Sequence, residues 1–238
     1  MQEAYIKTLS EDTRALVDYI EQHIESEIVV EVDSSRVEIL ACEVDRVGAK
    51  ILIPENGYFP ESSVMHELIH IRRFCVEEVP KLVVCEAYDK WTPELEKALF
   101  DLDNNLEHFV IVPEELKLFP ERYEYWESRI NSKLDQVYSV NAVKGNTQGS
   151  ALVYWAFIRH VFPSSQLLDK ANAIVQNLGI TEAVECCFEQ MRPYVQNKEK
   201  LVRVWFEHLA ITLEAGCFEY IDCRSHSNKE IAVASVML

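Results

Sequence analysis

The sequence predicts an α+β fold, predominantly helical, in which a small N-terminal sheet precedes a buried helix and a helical C-terminal region follows. Three observations carry this. Three short β-like runs fall between residues 28 and 54. Apolar residues then recur at helical spacing through most of the chain beyond residue 92. Between them lies Val64-Met65-His66-Glu67-Leu68-Ile69-His70-Ile71-Arg72-Arg73-Phe74, which is apolar nearly all round and reads as a helix that must be covered.

Taken in order, Ser10-Glu11-Asp12 has the composition of a helix start, and Leu16, Val17, Ile20 and Ile24 supply its apolar face. The β-like runs are Ile28 to Val32, Arg36 to Cys42 and Ala49 to Pro54, separated by Asp33-Ser34-Ser35 and Val47-Gly48. A partly antiparallel sheet is expected. Pro54, Gly57 and Pro60 mark a loop, and Ser62 or Ser63 is a candidate cap for the apolar helix. Lys81 to Cys85 fits a strand or a helix equally well. Thr92-Pro93-Glu94-Leu95 places proline at a first helical position with acids in the first turn. Leu95, Leu99, Leu102, Leu106 and Phe109 form the stripe of that helix, which is expected to end before Pro113. A short helix from Pro113 and another over 121–137 follow. The polar stretch 139–150, with Gly145 and Gly149, is the candidate boundary between a domain over 1–138 and a helical region over 150–238. Helices are expected over 150–162, 164–178, 181–191 and 198–215, with Gly179 and Gly216 as C-terminal caps. The segment from Cys217 onward carries no clear pattern.

At 238 residues, 48 % of them hydrophobic, the chain can bury a sizeable core. A net charge of -17 argues against nucleic acid or an anionic membrane as a partner, because neither accepts such a field without a strong basic patch. The seven cysteines are scattered, odd in number and without a CxxC, and the N-terminus lacks the pattern of a signal peptide. A reducing, cytoplasmic setting with free thiols is the expectation.

The chemistry resides in His66-Glu67-Leu68-Ile69-His70, an HExxH motif. Residues four apart stand one above the other on a helix, so His66 and His70 can aim two imidazoles at one ion. Glu67, about 100° further round, can reach a water on that ion without ligating it. A zinc site with an open position usually takes a third protein ligand. The candidates lie in Asp101-Leu102-Asp103-Asn104-Asn105-Leu106-Glu107-His108. With Leu102 toward the core, Asp101, Asn105 and His108 share one flank, and Asp103 and Glu107 the other. The flank favours His108, with Asp101 or Asn105 behind it. Chemical precedent favours Glu107. Asp103 and Asn104 read as a solvated face. His160 and His208 read as residues at the edge of the core.

The order of helix, small sheet, HExxH helix and a second helix rich in acid and Asn resembles the zincin metallopeptidases. More loosely, over residues 10–115, it is similar to the ImmA/IrrE family of intracellular zincins. That family has an E-x-x-A-N-x-F-A element running into an apolar segment that ends in proline. Here Asn105 and Val110-Ile111-Val112-Pro113 echo it, Asp101 stands at the Glu position, and the F-A pair is absent. The resemblance implies a zinc-dependent peptidase. His66, His70 and either Glu107 or His108 would hold Zn²⁺, Glu67 would activate the metal-bound water, and a peptide or protein would be the substrate. The alternative is a non-catalytic, zinc-stabilised protein-interaction module of the same fold.

Overall fold

The computed structural model describes residues 1–37, 39–139 and 144–236. Helix α1 (Glu3–Ile6) is a single turn, and α2 (Glu11–Ile24) follows it. Ser10 caps α2 by accepting from the Thr13 N–H, and Val17, Ile20 and Ile24 are buried on its inner face. Strands β1 (Val29–Val32), β2 (Ala41–Asp45) and β3 (Gly48–Ile53) form the first sheet, in the order β1-β3-β2. β1 runs parallel to β3 and β2 antiparallel to it, which is the partly antiparallel sheet expected. The second strand, however, begins at Ala41 rather than at Arg36. Its partner β3 has six residues, and pairing starts at Ala41 opposite Leu52. Val37 and Ile39, which carried the alternating pattern, lie outside the strand and are exposed; Glu38 is outside the described residues.

Helix α3 (Glu61–Cys75) packs on α2 and β2. It starts one residue before the serines expected to cap it, directly after Pro60. Glu61 turns back instead, and its carboxylate accepts from the Ser10 N–H at 2.9 Å and the Thr13 hydroxyl at 2.6 Å. Residues 64 to 71 of α3 are all buried, so the helix is a core element.

Residues Lys81–Val84 resolve as strand β4, and α4 (Pro93–Leu118) begins as its sequence dictates, with Thr92 accepting from the Leu95 N–H at 3.1 Å. The expected stop at Pro113 does not occur: α4 continues through the proline for another five residues. A proline there removes the N–H that would bond to the carbonyl four residues back, that of Phe109. His160 replaces it, donating from Nε2 to the Phe109 carbonyl at 3.1 Å. That ring sits in α6 (Lys144–Val161), which follows α5 (Arg122–Ser139). The stretch read as a polar loop lies partly outside the described residues, and from Lys144 the chain is already helical, Gly145 and Gly149 included.

α7 (Gln166–Asn177) and α8 (Thr181–Met191) match two of the expected helices closely, and α9 (Lys198–His208) begins where the third was expected. Gly179 has a positive φ of 70° just past α7, and the Ile180 N–H reaches back to the Val175 carbonyl. The expected helix over 198–215 is too long, because Ala210 takes a positive φ of 53° and ends it. Gly216 is therefore not a helix cap. It opens strand β5 (Gly216–Asp222), where an added Cβ would lie 2.8 Å from the Phe206 ring. β5 pairs antiparallel with β4 on one side and with β6 (Ser227–Ala232) on the other, giving a second three-stranded sheet.

Two large hydrophobic clusters result, beside a small third one of Met65, Ile69 and Ile111. The larger joins Leu82, Leu99 and Phe109 to Ala156, Trp205 and Phe218, so residues before and after the 139–150 stretch share one core. The smaller gathers α2, the first sheet and the inner face of α3, and includes Ile221 and Cys223. The fold is α+β and mostly helical, with two small sheets. Among the described residues no helix is long and apolar enough to cross a membrane.

Candidate metal centre

Helices α3 and α4 pack together and bring three histidines to one place. One ring nitrogen from each of His66, His70 and His108 lies within 4.8 Å of the others, and all three residues are buried. The ring centroids are 5.0 Å apart for His66 and His70, 5.1 Å for His66 and His108, and 5.5 Å for His70 and His108. The first spacing follows from one helical turn; the other two need α4 at the correct height and rotation. Among the described residues this is the one group of three with metal-ligand geometry.

Three buried imidazoles in contact are unfavourable if protonated. Burial lowers the pKa of both His70 and His108 well below the usual imidazole range. The neighbouring histidines add to this, as do Lys198 and Arg73 near His70 and Arg129 near His108. Both rings are neutral at pH 7 and carry free lone pairs, the state in which imidazole binds a metal.

Behind His66 stands Glu115. Its Oε2 accepts from His66 Nδ1 at 2.9 Å and from Trp126 Nε1 at 2.9 Å, and its Oε1 accepts from Arg122 Nε at 2.7 Å. Burial alone would raise the pKa of this carboxyl; the bonds from His66 and Arg122 outweigh it and hold the pKa below the usual value. A carboxylate on Nδ1 fixes the tautomer that leaves Nε2 with a lone pair, a common arrangement behind metal-binding histidines. The Trp126 ring packs 5.6 Å from His66 and 5.3 Å from His108, forming an aromatic wall. Replacing Glu115 with Gln is expected to weaken metal affinity by about 10–100-fold while leaving the fold intact, read by competition against a chromophoric chelator.

Glu107, the other candidate for third ligand, points elsewhere. Its carboxylate is fully buried between Arg73 Nε at 2.5 Å and Lys198 Nζ at 2.6 Å. Burial raises its pKa, but Lys198 and Arg73 more than offset this, and it is held low. Lys198 Nζ also meets Asp103 Oδ1 at 2.7 Å, and Asp103 accepts from the Leu82 N–H at 2.8 Å. Asp103, read as solvated, is therefore part of a buried network of two acids and two bases joining α3, α4, β4 and α9. Asp101 and Asn105 do not support the histidines either. Asp101 is exposed and pairs with Lys97, and Asn105 donates to the Asp101 carbonyl.

Glu67 lies next to the cluster on α3, with 9 % of its surface exposed. Burial raises its pKa, opposed by His66 and by the thiol and main-chain N–H of Cys42 on β2. The first sheet thus serves as a wall against which the acid of the motif is set.

A helix break at Pro113, as the sequence predicts, would separate Glu115 from His108, and the continuous helix joins them. Glu115 lies seven residues after His108, two turns along one face of an unbroken helix, and that spacing is the signal that could have found it. No protein-family profile, curated protein or solved structure matches this chain.

Proposed function

We propose that the chain is a zinc-dependent peptidase, in keeping with the zincin resemblance of its HExxH helix. The observation that carries the reading is the convergence of three buried imidazoles, with the motif's glutamate next to His66 on the same helix and acting on it electrostatically. The donor set suits Zn²⁺: three imidazole nitrogens on two helices, one of them backed by a carboxylate, with no thiolate among them. When bound, such an ion polarises a carbonyl and lowers the pKa of a water to about 7. His66, His70 and His108 would hold it, and Glu115 and Trp126 would keep the His66 ring oriented. Glu67 is the group to take a proton from the attacking water and return it to the departing amine. Asp101, at the glutamate position of the ImmA/IrrE pattern, is exposed and pairs with Lys97, and His108 would be the third ligand instead, so the likeness is to the motif and its helix rather than to that family's ligand set.

The burial of the histidines favours a second reading, in which zinc only ties α3 to α4 and the chain is a protein-interaction module. Glu67→Gln separates the two. Under the peptidase reading, the zinc-loaded parent cleaves an unstructured protein such as casein. The Gln variant then keeps one equivalent of zinc and loses at least about 100-fold in rate, in line with the loss of a general base. A Gln variant as active as the parent rules out Glu67 as the base. A zinc-loaded parent with no hydrolysis and a fourth protein ligand, seen by X-ray absorption, establishes the structural reading.

A further inference from the structure

The scattered spacing of the cysteines hides a grouping that the fold creates. Cys75 is the last residue of α3 and Cys223 follows directly on β5. They are 148 positions apart in sequence, yet their sulfurs are 3.7 Å apart. A third thiol, Cys42 on β2, is near enough to act on Cys75 electrostatically and also faces Glu67. The contact divides the pair: the Cys75 thiol lowers the pKa of Cys223, whose thiolate is therefore the reactive one, while the same contact and burial raise that of Cys75; burial raises Cys42, and Lys81 opposes the rise at both. Cys85, just past the end of β4, and Cys217, on the neighbouring strand β5, make a second thiol contact.

We propose that Cys75 and Cys223 are a reversible oxidation site, a dithiol that a peroxide or a low-molecular-weight disulfide converts to a disulfide joining the end of α3 to the end of β5. A disulfide bond is about 2.05 Å long, so the sulfurs must approach by about 1.7 Å, a movement on the scale of side-chain rotation. Cys75 is partly exposed and gives the oxidant access, while Cys223 is buried against it. With hydrogen peroxide, one thiolate attacks an oxygen, the O–O bond breaks, and a sulfenic acid and water form. The second thiolate attacks the sulfenyl sulfur, the S–S bond forms, and hydroxide leaves and is protonated to water. In sum, two thiols lose two electrons and two protons, and the peroxide is reduced to two waters. With a small disulfide, two successive exchanges give the protein disulfide and two small thiols.

The bond would fix the helix that carries His66 and His70 to the hairpin β5–β6, which is also held by β4 pairing, apolar contact and hydrogen bonds such as those from Arg224 to the His23 carbonyl and from His226 to the Arg46 carbonyl. It would close a loop of 148 positions, more than half of the 238-residue chain, and a crosslink across a long loop restrains the unfolded state most. This inference is independent of the peptidase reading, since it concerns thiol chemistry that can be read without activity.

The test equilibrates the full chain in glutathione buffers of increasing oxidised fraction, traps thiols by alkylation in denaturant, and maps the digest by mass spectrometry. The expected result is a linked Cys75–Cys223 peptide that appears in one two-electron transition and disappears on reduction. The thermal midpoint should rise by about 5–15 °C on oxidation, and Cys75→Ser and Cys223→Ser should each abolish that rise. Exposed Cys186 is the internal control and should yield a mixed glutathione adduct. Recovery of Cys75 and Cys223 as free thiols or separate adducts under conditions that modify Cys186 overturns the proposal. So does a crosslink from Cys75 to Cys42 in place of Cys223.

Discussion

Replacing His108 with Ala is expected to abolish stoichiometric zinc binding. The remaining pair, His66 and His70, is set by a single helical turn and offers two nitrogens, whereas a site with an open position is built on three. The loss should exceed the about 10–100-fold that removal of an outer partner such as Glu115 costs. Purified protein, loaded with zinc, desalted and assayed for metal, should carry close to one equivalent in the parent and close to none in the variant. The vacated volume sits beside Trp126, so a modest loss of stability is also expected, and circular dichroism separates it from unfolding. Full zinc occupancy in the Ala variant would remove His108 from the site and return attention to the acids of α4.

Glu107→Ala should have the opposite profile, with metal retained and stability lost. The substitution removes the carboxylate shared by two buried cations, leaving Lys198 with Asp103 alone and Arg73 with the more distant Glu77 at 3.6 Å. Breaking a buried ion pair from one side costs about 3–5 kcal/mol, equivalent to a fall in Tm of roughly 6–20 °C for a chain of this length. The same carboxylate gives a pH dependence of defined sign. Its folded pKa is depressed, so its contribution is complete above the ordinary carboxylate range and is lost as the pH falls through the lower folded value. The parent should therefore lose stability in acid, and Glu107→Gln should flatten that slope. A Glu107→Ala variant that melts with the parent but binds no zinc would show that the carboxylate serves the metal after all.

These two residues also show how far the sequence could be read. The HExxH helix was legible because its spacing is local and its flanks are apolar, and the start of α4 because Thr92-Pro93 fixes a cap and a dihedral together. The choice between Glu107 and His108 was not. They are neighbours about 100° apart on one helix, and what separates them is Lys198, 91 residues away and brought alongside by α9. The hairpin β5–β6 was obscure for a similar reason, since β5 is defined by its pairing with β4, more than a hundred residues earlier in the chain. The Cys75–Cys223 contact joins two distant elements and has no trace in local spacing.

Pro113 carries a consequence for any attempt to cut the protein down. The helix places His108 ahead of the proline and Glu115 behind it, and the carbonyl that the proline leaves without an N–H partner is met by a ring from α6. A fragment stopping at residue 138 keeps the whole HExxH motif yet leaves that oxygen unmet and takes Lys198 from Glu107. The smallest piece able to assemble the three imidazoles must therefore extend well past the motif, into helices that contribute no ligand of their own.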